Sequence, residues 1–221
     1  MKRTGILLIS ALLSVSTAFA QQVIYDNNVQ KREIGPFRSI ESSAGIEVAI
    51  SKGDKEELAV SASNPEFLPE VRTVVQNGVL RIYRSDDWHF WRQWKNWRIK
   101  VYVSYTQLES IRISSGSSVK GTDMELDKLS VKLNSGATAS LSGKVGALEV
   151  HGDSGAQFHG YGLTTTTCDA DVNSGAGIQV TVNKEISARA SSGGYIRFKG
   201  DGLIRDVNVN SGGSVKRSKD D

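Results

Sequence analysis

Few residues in this 221-residue chain have types suited to chemistry: three histidines (His89, His151, His159), one cysteine (Cys168), and two carboxylates alternating on one short segment, Asp169 and Asp171. A metal site would need several His, Cys, Asp or Glu side chains converging from one face. A single Cys cannot pair within its own chain, so a disulfide framework is excluded, and a cysteine-based zinc site falls with it. Cleavage of a glycosidic bond needs two carboxylates within reach of it, and Asp169 with Asp171, which alternation places on a shared face, is the tempting pair. The remaining chemical feature is aromatic. All four Trp stand at every third position, Trp88, Trp91, Trp94 and Trp97, and each is followed by a basic or imidazole residue, His89, Arg92, Lys95 and Arg98. Such rings stack on sugars, sit at a lipid headgroup surface or dock a protein partner. Trp88, Trp91, Arg92, Trp94, Lys95 and Trp97 are therefore the candidate ligand-binding residues. The alternative is a cap over the last open layer of a core, where aromatics hide apolar area well.

What these residues can do depends on the elements that carry them. From residue 114 onward a short phrase recurs: Ser114-Ser115-Gly116, Asn134-Ser135-Gly136, Asp153-Ser154-Gly155, Asn173-Ser174-Gly175, Ser191-Ser192-Gly193 and Asn210-Ser211-Gly212. The glycines step by 20, 19, 20, 18 and 19 residues. Asn, Asp or Ser before Ser-Gly is turn chemistry, with Gly free to take positive φ. Between the turns, apolar residues alternate: Ile111 and Ile113, Val131 and Leu133, Ala170 and Val172, Ala188 and Ala190, Val207 and Val209 before them, and Val119, Ala139, Phe158, Ile178, Ile196 and Val215 after them. Period-two alternation between turns means strands. A strand-turn unit of about 19 residues cannot bury its face alone, whereas stacked units can. The expected fold is all-β, a parallel β-helix (β-solenoid) with like residues stacked in columns. Pro36, Pro65 and Pro69 all precede the repeat, which suits an uninterrupted ladder.

Columns decide the fate of the candidates. His151 points outward beside Arg112, Lys132, Asp171, Arg189 and Asn208, and His159 beside Lys120, Ser140, Gln179, Arg197 and Lys216. Both columns read as a solvated surface, so no metal site is expected. Cys168 fills the inward slot of Leu129, Leu148 and Ile186 and reads as a small core residue. The Ser-Gly serines recur six times, as turn residues do and nucleophiles do not, and no Gly-x-Ser-x-Gly elbow occurs. No catalytic residue and no cofactor are expected.

Upstream, Ile46, Val48 and Ile50 alternate after Ser42-Ser43-Ala44-Gly45, a loose form of the same turn. Val79–Tyr83 and Ile99–Val103 are two further strands, and the segment from Asn64 to Pro69 marks a turn. The Trp segment lies in a loop over 86–98. Residues three apart would fall on opposite faces of a strand and align only in a 3₁₀ turn, so a short helical piece is expected there. Residues 1–20 read as a secretory signal peptide: Lys2 and Arg3, an apolar run from Gly5 to Val15, and Ala18-Phe19-Ala20 before the cut. That run is too short for a bilayer, and no second one follows. The formal charge of +3 drops to +1 once Lys2 and Arg3 leave, which is no electrostatic footprint for nucleic acid. The reading is a signal peptide, 1–20, then a single domain over 21–221, with N-terminal strands over 30–106 and regular coils over 107–221.

Phe37-Arg38-Ser39-Ile40, Gly45-Ile46-Glu47-Val48 and Lys52-Gly53-Asp54, followed by Asn77-Gly78-Val79-Leu80-Arg81-Ile82, Ile99-Lys100-Val101-Tyr102-Val103 and the Ser-Gly-Ala turns, resemble the auto-transporter adhesin, head GIN domain family, from about residue 30 to the C-terminus. The resemblance implies a bacterial, exported protein similar to right-handed β-helix proteins, and it brings no catalytic motif. Two departures bear on regularity: Thr181-Val182-Asn183 replaces a mid-coil Gly, and Gly152 stands where neighbouring coils have an apolar residue. Together these readings lead to an exported, non-enzymatic interaction module, adhesin-like, of the periplasm or cell surface. Its partner would be an envelope glycan, a membrane surface or a surface protein. A carbohydrate-active β-helix enzyme and a periplasmic structural or stress-related component are the alternatives.

Overall fold

The computed structural model describes residues 28–85 and 98–218. The expected leader, with its expected cut after Ala20, and the Trp-rich stretch lie outside the described residues. The described chain is a β-solenoid, as the repeat predicts, and it has about five turns. Its strands belong to one 15-stranded sheet.

The long strands β9 (Ser118–Leu133), β10 (Thr138–Gly152), β11 (Gln157–Val172) and β12 (Gly177–Ala190) run from one Ser-Gly turn to the next and pair in parallel. Register is kept by the inward rows. Val119, Ala139, Phe158, Ile178 and Ile196 stack directly on one another, and so do Leu129, Leu148, Cys168 and Ile186. All of these are buried. A slip of one residue would turn every row outward, so the apolar pattern specifies the register strongly. Both irregularities seen in the sequence are absorbed. Gly152 keeps its place between Leu133 and Val172, while the β11–β12 pairing jumps from Gly160–Val180 to Thr164–Thr181.

The turns hold a feature that sequence reading assigned to glycine alone. Ser135 and Gly136 both have positive φ, 52° and 70°, and the Ala137 amide returns to the Asn134 carbonyl at 3.2 Å. Positive φ at both central residues is the type I′ pattern. The reason is the ladder. Gly136 donates its N–H to the Ser154 carbonyl and Gly116 donates to the Ser135 carbonyl, each at 3.0 Å. The single Ser-Gly peptide thus lies along the stack, its N–H toward one coil and its C=O toward the other. Backbone groups that would be stranded at a corner are satisfied, and the serines accept the left-handed conformation in exchange.

At the N-terminal end, stacking order departs from chain order. β2 (Ser39–Ser42), a turn with Ala44 and Gly45 at positive φ, and β3 (Glu47–Lys52) form a rung on β8 (Ser110–Ile113) and β9, with Ile40 on Ile111 and Val48 on Val119. The chain then leaves through β4 (Glu57–Ala62), a 3₁₀ helix (Pro65–Glu70) and β5 (Val71–Gln76). It returns as β6 (Val79–Arg84) and β7 (Ile99–Tyr105), which stack on the far side of β2 and β3. Three antiparallel strands finish this end: β4 on β7, β5 on β6, and β1 (Val29–Arg32) on β4. Arg32 ties them, donating to the Val71 carbonyl at 2.5 Å, the Leu68 carbonyl at 2.6 Å and Thr73 Oγ1 at 3.2 Å. Burial, and then the nearby Arg72, lower its pKa.

The other end is different. β13 (Tyr195–Lys199) and β14 (Leu203–Val209) pair with β12, and β15 (Ser214–Arg217) pairs with β13. Val207 and Val209 were expected among the inward rows, and their rows are right, since Val207 stacks on Ala188 and Val209 on Ala190. Both are nonetheless exposed, because among the described residues no further coil lies beyond them.

Candidate functional site

The sequence candidates Trp88, Trp91, Arg92, Trp94, Lys95 and Trp97 lie outside the described residues. Their flanks are placed. β6 ends at Arg84 and β7 begins at Ile99 in the outermost parallel rung, where each other rung has its four-residue turn. Two of the histidines take the predicted outer columns, His151 between Lys132 and Asp171 and His159 between Ser140 and Gln179, while His89 lies outside the described residues. His159 Nδ1 lies 3.3 Å from Gln179 Oε1, and His151 Nδ1 4.0 Å from an Asp171 oxygen. Among the described residues, no three His, Cys, Asp or Glu gather as a metal site would require. Asp169 and Asp171 do share a face, but one cation serves both: Arg189 Nη2 lies 2.9 Å from Asp169 and its Nε 3.5 Å from Asp171. The two carboxylates, Asp169 foremost, raise the Arg189 pKa. Cys168 is buried, and desolvation, with Asp169 adding to it, pushes its thiol up to about 12, which leaves almost no thiolate at neutral pH.

The structure brings together residues that the sequence analysis did not single out. A groove of about 1040 Å³ crosses successive coils on the side away from the Ser-Gly turns. Its wall passes from Thr106–Glu109 to Glu125–Lys128, Lys144–Gly146, Thr164–Thr166 and Asn183. At about 4.8 Å per coil, these positions span roughly 20 Å. The groove follows the line where the strands bend. Register shifts occur there between Leu141 and Gly143 and between Gly160 and Thr164, and Asp123 takes positive φ. Bulges of this kind re-aim side chains and kink a sheet.

Its chemistry is mixed and balanced. Lys52, Lys128 and Lys144 line the groove together with Glu109, Glu125 and Asp127, and so do Thr106, Gln107, Thr164, Thr166 and Asn183. Buried Leu108 and Val145, with half-buried Leu126, line it as well. Lys144 stacks between Glu125 and Thr164 in adjacent coils. Hydroxyls, amides and charges of both signs over apolar patches suit a long, hydroxyl-rich ligand, and the balance of signs does not favour a polyanion. A visible signal existed in the sequence: Thr164-Thr165-Thr166-Thr167 interrupts the apolar alternation at mid-coil, and it marks this bend.

Among the described residues, no helix is long and apolar enough to cross a membrane. No curated protein sequence matches the chain. The fold is similar to that of solved bacterial proteins. One, described as a putative adhesin from Bacteroides fragilis, aligns with a TM-score of 0.69 at 15% identity, over 86% of this chain and 96% of its own. Another, described as a putative lipid binding protein from Parabacteroides distasonis, aligns with a TM-score of 0.53 at 16% identity, again over 86% and 96%. At such identities the likeness concerns the fold. The sequence itself is matched over residues 36–202 by a family model, and on that match the chain belongs to the family described as "Putative auto-transporter adhesin, head GIN domain".

Proposed function

We propose that this chain is an exported, non-enzymatic interaction module of the bacterial envelope or surface, and that it holds an extended glycan along the mid-coil groove. The observation that carries the reading is a groove that crosses successive coils with hydroxyls, amides and balanced charges. A polysaccharide is long, uncharged or mixed in charge, and rich in hydroxyls, so its groups find both donors and acceptors along such a wall. The adhesin-like character of the family agrees. Two further observations favour binding over catalysis: Arg189 engages both Asp169 and Asp171, and the Cys168 thiol is buried. The test is a titration of envelope polysaccharides against residues 21–221, followed by Lys144→Glu and Thr164→Val. Binding weakened about tenfold or more by these changes supports the groove, since loss of a charge-assisted contact is worth about 1.5–3 kcal/mol. Binding indifferent to them, or no polysaccharide bound at all, refutes it.

A second reading is a lipid surface, favoured by the Trp-cation segment and by the fold shared with a protein described as lipid binding. Because all four Trp lie in that segment, their emission reports on it alone. A blue shift on adding anionic vesicles, with no response to glycans, would favour the membrane reading.

A further inference from the structure

We infer that the open C-terminal end of the solenoid is an interface for a second copy of this chain, joined edge to edge through β14. This strand pairs with β12 on one side and, among the described residues, with nothing on the other. All seven of its residues are exposed. Ile204, Val207 and Val209 continue inward rows that are fully buried one coil earlier, at Ile186, Ala188 and Ala190, yet they are 53%, 40% and 44% exposed. Leu203, on the outer face beyond Glu185, is 71% exposed. An apolar edge strand of this length is a template for pairing unless something occupies or blunts it.

The residues of β14 specify what fits. The pairing with β12 passes from Ile186–Ile204 to Ser187–Asp206, so Arg205 is an extra residue, a bulge. Because of that bulge, Ile204 and Val207 lie on the same inward face although they are three apart. Two copies related by a two-fold axis that passes between Arg205 and Asp206 would run antiparallel. Ile204 would then oppose Val207 of the partner, and Arg205 would oppose Asp206 of the partner, each contact occurring twice. The edge is thus complementary to itself in charge and in apolar face. Without the bulge, the same register would set an inward residue against an outward one. A two-fold contact closes on itself, so assembly stops at the dimer and does not grow into a fibre. The strand lies beyond residues 36–202, where the family model matches.

The mass of residues 21–221, which retain every described residue, decides the matter by sedimentation velocity or light scattering over a concentration series. A monomer–dimer equilibrium is expected. Arg205→Asp places like charges opposite one another at two points and should weaken dimerisation about tenfold or more. Adding Asp206→Arg to it restores opposite charges at both points and should restore the dimer, an outcome that a misfolded variant cannot give. Ile204→Glu should also yield monomer. A monomer at every soluble concentration, or a dimer unmoved by Arg205→Asp, would overturn the inference.

Discussion

Replacing Gly143 by Ala should cost far more stability than replacing Gly136, although both glycines have positive φ, 122° and 70°. At Gly136 a methyl group would meet nothing within 4 Å, so only the backbone conformation opposes it. A left-handed L-residue costs roughly 1–2 kcal/mol, and restricting the unfolded chain returns about 0.4–1 kcal/mol. The net loss is about 1.6 kcal/mol or less. At Gly143 the methyl group would overlap the backbone oxygen and nitrogen of Met124, its partner in the coil before. No rotamer relieves that overlap; a strand of the groove wall must move. Strain of about 1–3 kcal/mol adds to an overpacking cost of about 1–3 kcal/mol, for a loss on the order of 4 kcal/mol. Urea unfolding of residues 21–221 followed by far-UV circular dichroism measures both. Because coils can unfold piecewise, hydrogen exchange at the Thr138 and Thr164 amides should report the same order locally. If Gly143→Ala is no worse than Gly136→Ala, the close approach at the bend is not what requires glycine there.

Arg32→Met should loosen the N-terminal end by about 2 kcal/mol, since it removes the hydrogen bonds to Val71, Leu68 and Thr73, along with two exposed ones to Gln30, and leaves the Leu68 and Val71 carbonyls without that donor. Faster proteolysis near the 3₁₀ helix, with the later coils still protected, would show it, and unchanged cleavage would contradict the clamp. Alkali should destabilise the whole solenoid. Burial raises Tyr105 from 10.0 to about 12 and Cys168 from 9.0 to about 12, so the folded chain keeps protons that the unfolded chain has released. Their contribution is complete below about pH 9 and is lost as pH rises toward 12. Urea midpoints should therefore fall between pH 9 and 11.5, and Tyr105→Phe, which removes a buried hydroxyl lacking a partner among the described residues, should flatten the upper part of that fall. A flat profile would refute it.

Much of the architecture was legible because a solenoid writes its fold into local periods. Strand alternation has a period of two, the turn recurs every 18 to 20 residues, and together they place each side chain on a face and in a column. That arithmetic put His151 beside Asp171 and Cys168 between Leu148 and Ile186, where the structure has them. The left-handed serines were not legible. The Ser-Gly peptide turns along the stack only because other coils lie above and below to take its hydrogen bonds.

Three features depend on pairing and not on period. The rung of β6 and β7 lies outside the rung of β2 and β3, although it follows it in the chain. Ile40, Leu80 and Ile111 are near-equivalent apolar residues in one inward row, so no local signal says which edge each strand joins. The groove exists because bulges in adjacent coils coincide, a matter of register between strands nearly 20 residues apart. The exposure of Val207 and Val209 comes from the absence of a further described coil beyond them, which their own alternation cannot reveal. Sequence alone thus determined which face each residue takes. The pairing of distant edges decided what each face meets, because backbone ladders are satisfied between coils and not within them.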